Sequence, residues 1–126
     1  MSVLDASAVL ALIHGEPGAD VVARALPGAV LGTPNLAEVV GKLVEAGVPA
    51  ASLSDRLLVA GVVLEPMTAA DAVLAGALRD VDGGRALSLG DRCCLSVALR
   101  ADQGVVLTAD RAWADLDLPL EVHLLR

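Results

Sequence analysis

Five short runs of β-branched and leucine residues recur along the chain, at Val3-Leu4, Val30-Leu31, Val62-Val63-Leu64, Val105-Val106-Leu107 and Val122-His123-Leu124. Each is too short for a helix and reads as a strand. Ala- and Leu-rich stretches of helical period lie between them: Ser7 to Ile13, Ala19 to Leu26, Leu36 to Ala46, Leu53 to Ala60, Ala70 to Asp80 and Leu89 to Arg100. Strands alternating with helices predict an α/β fold, with a parallel sheet covered on both faces. Asn35, Ser52, Thr68 and Ser88 each stand three residues before an acid, the spacing of a helix N-terminus. The segment Val81-Asp82-Gly83-Gly84-Arg85 is the most loop-like and is expected to be a mobile loop beside a site.

A length of 126 residues fits one domain spanning 1–126. An apolar fraction of 56% and a mean hydropathy of +0.68 exclude a disordered chain. Charges or turns break every apolar stretch before it reaches the roughly 18 residues that span a bilayer, and Asp5 interrupts the start where a signal peptide would be apolar. The expectation is a cytoplasmic protein with no membrane partner. Cys93 and Cys94 are adjacent, so they neither staple a loop nor match zinc-site spacing, and they read as a reduced, buried pair. The net charge of −7 argues against a general nucleic-acid binder unless a bound metal offsets local carboxylates. Trp113 is the one aromatic residue, which excludes a stacking platform for unpaired bases.

In an open α/β sheet, ligands bind beyond the carboxyl ends of the strands. Acids follow several of those ends. Asp5 follows the first strand, Asp110 follows the fourth through Thr108-Ala109, and Glu38 lies early in the helix after the second. Asp91 opens a later helix. Carboxylates from separate elements suit a hard divalent cation, which can activate water and polarise a phosphoryl oxygen, the logic of metal-assisted phosphodiester hydrolysis. Ser7 and Thr108 are candidate hydroxyls for orienting these acids. Arg85, Arg92 and Arg111 are the cations nearest to them in sequence, available for phosphate contacts or surface ion pairs. His14 and His123 fall in unrelated contexts and complete no nucleophilic triad.

Every one of these acids also sits where a helix N-terminus favours a negative or capping side chain. Glu38 could pair with Lys42 one turn on, Asp91 could complete the Ser88 capping box, and Asp110 could cap a short helix carrying Trp113. The alternative to a metal site is therefore four caps.

Taken in order, Val3-Leu4-Asp5-Ala6-Ser7-Ala8, Asn35-Leu36-Ala37-Glu38-Val39-Val40, Ser88-Leu89-Gly90-Asp91-Arg92-Cys93-Cys94-Leu95 and Leu107-Thr108-Ala109-Asp110-Arg111-Ala112-Trp113 resemble the acidic motifs of PIN-domain ribonucleases. The likeness is nearest to the VapC toxins of bacterial VapBC toxin–antitoxin pairs, and it covers essentially the whole chain. It implies a PIN-like three-layer α/β/α fold with a central parallel five-stranded sheet of order 3-2-1-4-5. It also implies an Mg²⁺- or Mn²⁺-dependent endoribonuclease with Asp5, Glu38, Asp91 and Asp110 as metal-binding acids, and Ser7 and Thr108 behind them. Similar proteins form homodimers and are inhibited by a cognate antitoxin that covers the active-site groove. Many relatives carry a further acid where this chain has Ala112. That departure leaves one-metal chemistry, or a second ion bound only with RNA, as the options.

The competing expectation is a catalytically inactive PIN-fold protein-binding module, with the acids as caps and as a docking surface for a basic peptide. A receiver domain would need a lysine by the acids, and Lys42 is the only lysine in the chain; a dinucleotide fold would need a Gly-rich turn in place of Ala6-Ser7-Ala8.

Overall fold

The computed structural model describes residues 1–101 and 104–126. Strands β1 (Ser2–Leu4), β2 (Val30–Gly32), β3 (Val63–Glu65), β4 (Val105–Thr108) and β5 (Glu121–Leu124) form one parallel sheet in the order β3-β2-β1-β4-β5, as the resemblance implies. Among the described residues the helices are α1 (Ala6–His14), α2 (Ala19–Ala25), α3 (Thr33–Glu45), α4 (Leu53–Val59), α5 (Ala69–Ala77) and α6 (Leu89–Arg100).

The pleat of the strands divides the core in two, because successive side chains point to opposite faces. Leu4, Leu31 and Leu107 pack with Val9, Val22, Val39, Leu43 and Leu57 from α1 to α4. Val3, Val30 and Val106 pack on the other face with Cys94, Leu95, Val97 and Ala98 of α6 and with the fully buried Trp113. Apolar residues on both faces explain why the central strands read as continuous runs rather than alternating ones. Cys93 and Cys94 are both buried free thiols, as expected.

Local chemistry sets the helix ends. Asp5 caps α1 by accepting from the Ala8 amide, and Gly15 ends that helix at φ 64°, a left-handed conformation that glycine adopts without steric cost. Thr68 with Asp71, and Ser88 with Asp91, form complete capping boxes at α5 and α6. Two expected caps differ. Helix α3 starts at Thr33, not Leu36, because Pro34 in the first turn has a helical φ and lacks only an N–H that would have no helical partner there. Asn35 is therefore inside the helix rather than capping it. Ser52 precedes α4 but makes no side-chain cap bond. The helix expected over Ala70 to Asp80 is α5 followed by a 3₁₀ turn at Leu78–Asp80. The loop expected at Val81 to Arg85 runs into a second 3₁₀ turn at Gly84–Ala86, where a Cβ on Gly84 would overlap the Leu78 carbonyl oxygen.

One ion-pair fork ties α6 to α5 and to the end of β3. Arg100 donates from Nε to Asp71 Oδ1 at 2.8 Å, from Nη2 to Asp71 Oδ2 at 2.9 Å and from Nη1 to Glu65 Oε1 at 2.9 Å. Bidentate geometry makes this pair stronger than a surface contact. The Arg100 guanidinium pulls the buried Asp71 carboxyl down to about 2. Arg92 corrects an expectation. It is buried, and its Nη1 donates to the Ala75 carbonyl at 2.9 Å, so it braces α6 on α5 and is not available to a phosphate.

The fork gives a pH signature of defined sign. With Asp71 near 2 in the folded chain against 3.8 when unperturbed, its contribution is complete above pH ~4 and is lost as pH falls through ~2. Arg100→Ala is expected to lower stability at pH 7 by about 2 kcal/mol and to flatten the decline between pH 4 and 2. Urea unfolding of both proteins across that range measures it.

Candidate active site

The site begins where β1 meets β4. The Asp5 amide donates to the Leu107 carbonyl at 3.2 Å, prolonging the β1–β4 ladder by one residue and setting Asp5 beside Thr108. The Asp5 carboxylate is buried at 3% exposure. Its Oδ1 accepts from Ser7 Oγ at 2.7 Å and from the Ala8 amide at 2.8 Å, and its Oδ2 accepts from Thr108 Oγ1 at 2.6 Å. Each hydroxyl also receives an N–H from the segment leaving β4. Ser7 Oγ accepts from the Ala109 amide at 2.9 Å and Thr108 Oγ1 from the Asp110 amide at 3.0 Å. Ser7 and Thr108 thus couple the Asp5 carboxylate to the turn that carries Asp110.

Burial pushes the Asp5 carboxyl up to about 6, against the hydrogen bonds from Thr108, Ser7 and Ala8, which favour the ionised form; the charge of Asp91 adds to the upward push. Asp5, Asp91 and Glu38 all bear on the buried Cys94 thiol, which burial and these charges raise well above its usual range. Helix α3, which carries Glu38, packs against α6, which carries Asp91. Asp110 stands one residue beyond Ala109 at the end of β4, the strand paired with β1.

Three acids are also caps. Asp5 caps α1, Asp91 Oδ2 accepts from the Ser88 amide at 2.9 Å, and exposed Asp110 caps the 3₁₀ turn Arg111–Asp115 through the Ala112 amide at 3.0 Å. Glu38 does not pair with Lys42. Its Oε1 accepts from Asn35 Nδ2 at 2.8 Å. Among the described residues, Glu38 Oε2, Asp91 Oδ1 and Asp110 Oδ2 accept no hydrogen bond from the protein, and none of the four acids is ion-paired.

The donor set is all carboxylate oxygen, the preference of Mg²⁺ and Mn²⁺. Among the described residues, no three acids, histidines or cysteines come close enough to hold one ion together. Mg²⁺ keeps several waters and is commonly held by one or two carboxylates, so the chemistry of this donor set is compatible with such an ion. Exposed Arg85 and Arg111 stay available for phosphate, with Arg111 Nε also donating to the Arg126 carbonyl at 3.2 Å. His14 and His123 are exposed and take no part.

Residues 2–118 match the family model of the PIN domain. The chain belongs to the PIN domain family. Among solved structures, a chain of a toxin–antitoxin complex from Klebsiella pneumoniae is similar at a TM-score of 0.75 and 17% identity, over 100% of this chain and 98% of that one. That likeness is one of fold. No curated protein matches this chain in sequence. Two residues of this PIN domain escape the sequence reading. Asn35 was assigned to a cap and Gly90 to no role, yet Asn35 Nδ2 donates to Glu38 and, at 3.0 Å, to the Gly90 carbonyl. Only the Asn-x-x-Glu spacing was visible in one dimension.

Asp5 has a cost that can be measured without substrate. A folded value of about 6 against 3.8 means that its contribution is fully present below pH ~4 and is lost as pH rises through ~6. In metal-free protein, Asp5→Asn is therefore expected to match the parent near pH 4 and to exceed it at pH 7.5 by about 2 kcal/mol. Thermal melts in EDTA at the two pH values test the crossover.

Proposed function

We propose that this PIN domain is a metal-dependent endoribonuclease that hydrolyses RNA phosphodiester bonds and acts as the toxin of a type II toxin–antitoxin pair in the cytoplasm. The observation that carries this reading is the set of unpaired acids at the carboxyl ends of β1 and β4 and on the facing helices, one of them buried at 3% exposure. Buried or crowded negative charge without a basic partner is costly, and a divalent cation is the group that would compensate it. In this reading Asp5, Glu38, Asp91 and Asp110 hold Mg²⁺ or Mn²⁺ and are the catalytic acids. The bound ion would supply Lewis-acid chemistry, making a nucleophile from water at neutral pH and neutralising charge at phosphorus.

The chain's own residues do the positioning. Ser7 and Thr108 fix the Asp5 rotamer and keep its oxygens ionised at neutral pH despite burial. The Ala109 and Asp110 amides, tied to the same hydroxyls, hold the β4 turn against it. Exposed Arg85 and Arg111 are placed to attract the RNA backbone.

The proposed antitoxin has a second surface to use. An open cavity of about 450 Å³ is lined by Val9, Leu12, Leu26, Leu43, Leu53 and Leu57, among others, and by none of the four acids. Val9 lies one turn beyond Asp5 on α1 and Leu43 lies beyond Glu38 on α3, so one extended partner segment could occupy the groove and reach the acids. A homodimer belongs to the same proposal. The groove also favours the second reading, a binding module without catalysis.

Purified protein incubated with a mixed RNA pool is expected to cut it with Mg²⁺ or Mn²⁺ and not with EDTA, and Asp5→Asn is expected to lose at least 100-fold in rate, the scale of a single catalytic group. Unchanged cutting by Asp5→Asn would refute the assignment. A folded protein that is silent in every condition, and whose melting temperature does not respond to metal, would refute the metal-dependent reading and leave the binding module as the alternative.

A further inference from the structure

Glu38 is held by an arrangement that caps no helix and that also ties α3 to α6. Asn35 is 1% exposed inside α3 and spends both amide protons, one within the helix on Glu38 Oε1 at 2.8 Å and one across to α6 on the Gly90 carbonyl at 3.0 Å. Its own Oδ1 is buried with no partner. A buried acceptor left unsatisfied is unfavourable, so the two donated bonds are what this orientation secures. The reversed amide would aim its oxygen at a carboxylate and a carbonyl.

Gly90 supplies the space. A Cβ built on it would overlap Oε1, Cδ and Oε2 of Glu38, so the carboxylate lies flat against the bare Cα of the residue next to Asp91. Gly90 is the second residue of α6 and has no positive φ, so its backbone does not demand glycine. Alanine is favoured over glycine in a helix, which leaves the Glu38 contact as the feature that a side chain would disturb.

We infer that Asn35 and Gly90 are positioning residues that together seat the Glu38 carboxylate beside Asp91 for cation binding. The inference rests on the proposed metal-dependent reading of this site and deepens it. Asn35 orients Glu38 from within α3, while Gly90 keeps α6 close enough for acids of two helices to share one ion.

Calorimetric titration with Mn²⁺ alone tests it, on the parent, Gly90→Ala, Glu38→Gln and the double variant, with metal-free melts as the control for folding. Gly90→Ala is expected to melt no lower than the parent yet to bind Mn²⁺ at least 10-fold more weakly. In the Glu38→Gln background the same change is expected to have no further effect, since residues acting through one another are not additive. Asn35→Ala is expected to weaken binding in the same direction. Parent-like Mn²⁺ affinity in Gly90→Ala, or an equal loss with and without Glu38, would overturn the positioning role. A Glu38→Gln variant that binds as the parent does would overturn it while leaving the other three acids as ligands. A parent that binds no Mn²⁺ would overturn the metal-dependent reading and this inference with it.

Discussion

A carboxylate buried at the end of the central strand is the constraint on which the site depends. Asp5 has almost no contact with water, and a charge in that position survives only if its lone pairs are met by donors. Ser7, Ala8 and Thr108 meet them, and they come from the first turn of α1 and the last residue of β4. The same contacts fasten α1 to the sheet, define how the chain leaves β4 and aim the turn that presents Asp110. One side chain thus links the local start of a helix, the pairing of two strands 100 residues apart and the geometry of the acids.

The sheet and its helices were legible because parallel strands covered on both faces leave apolar runs that no other structure explains, and because two capping boxes are short-range patterns. Asp5, Ser7 and Thr108 could be grouped before any coordinates, since each flanks a strand end. The expected start of α3 at Leu36 lies three residues late because Asn35 has the spacing of a cap, whereas Pro34 already occupies the first turn of the helix. Arg92 was grouped with the acids by proximity in sequence, although its helical position turns it toward Ala75 of α5. The Asn35–Gly90 contact spans 55 residues and depends on how closely α3 and α6 approach, and no one-dimensional pattern encodes that distance.

Capping and metal binding, alternatives in the sequence, are not exclusive in the geometry. A carboxylate has two oxygens and about four acceptor sites, and a cap consumes one or two. Asp91 and Asp110 each give one oxygen to an amide and leave the other unused by the protein. Capping fixes the rotamer, which is the preorganisation a ligand requires. Under the proposed function, stability and chemistry would therefore draw on the same side chains without competing for the same atoms. Ala112 contributes to the same arrangement only through its backbone amide, which holds Asp110, and its side chain adds no charge there.

The acids without basic partners among the described residues then set the terms for anything that approaches. Their field repels phosphate, so under the proposed function an RNA strand would gain access only as positive charge enters the site, and a cation would serve both the chemistry and the electrostatics of binding. Under the proposed function, an antitoxin bringing a basic side chain to these acids would satisfy the same field by a different route. Metal and inhibitor would then compete for one requirement even where their contact atoms differed, while the largely apolar groove along α1, α3 and α4 would offer a protein partner a separate area of attachment. Separating the two surfaces would let such inhibition be tight without the acids having to supply the affinity.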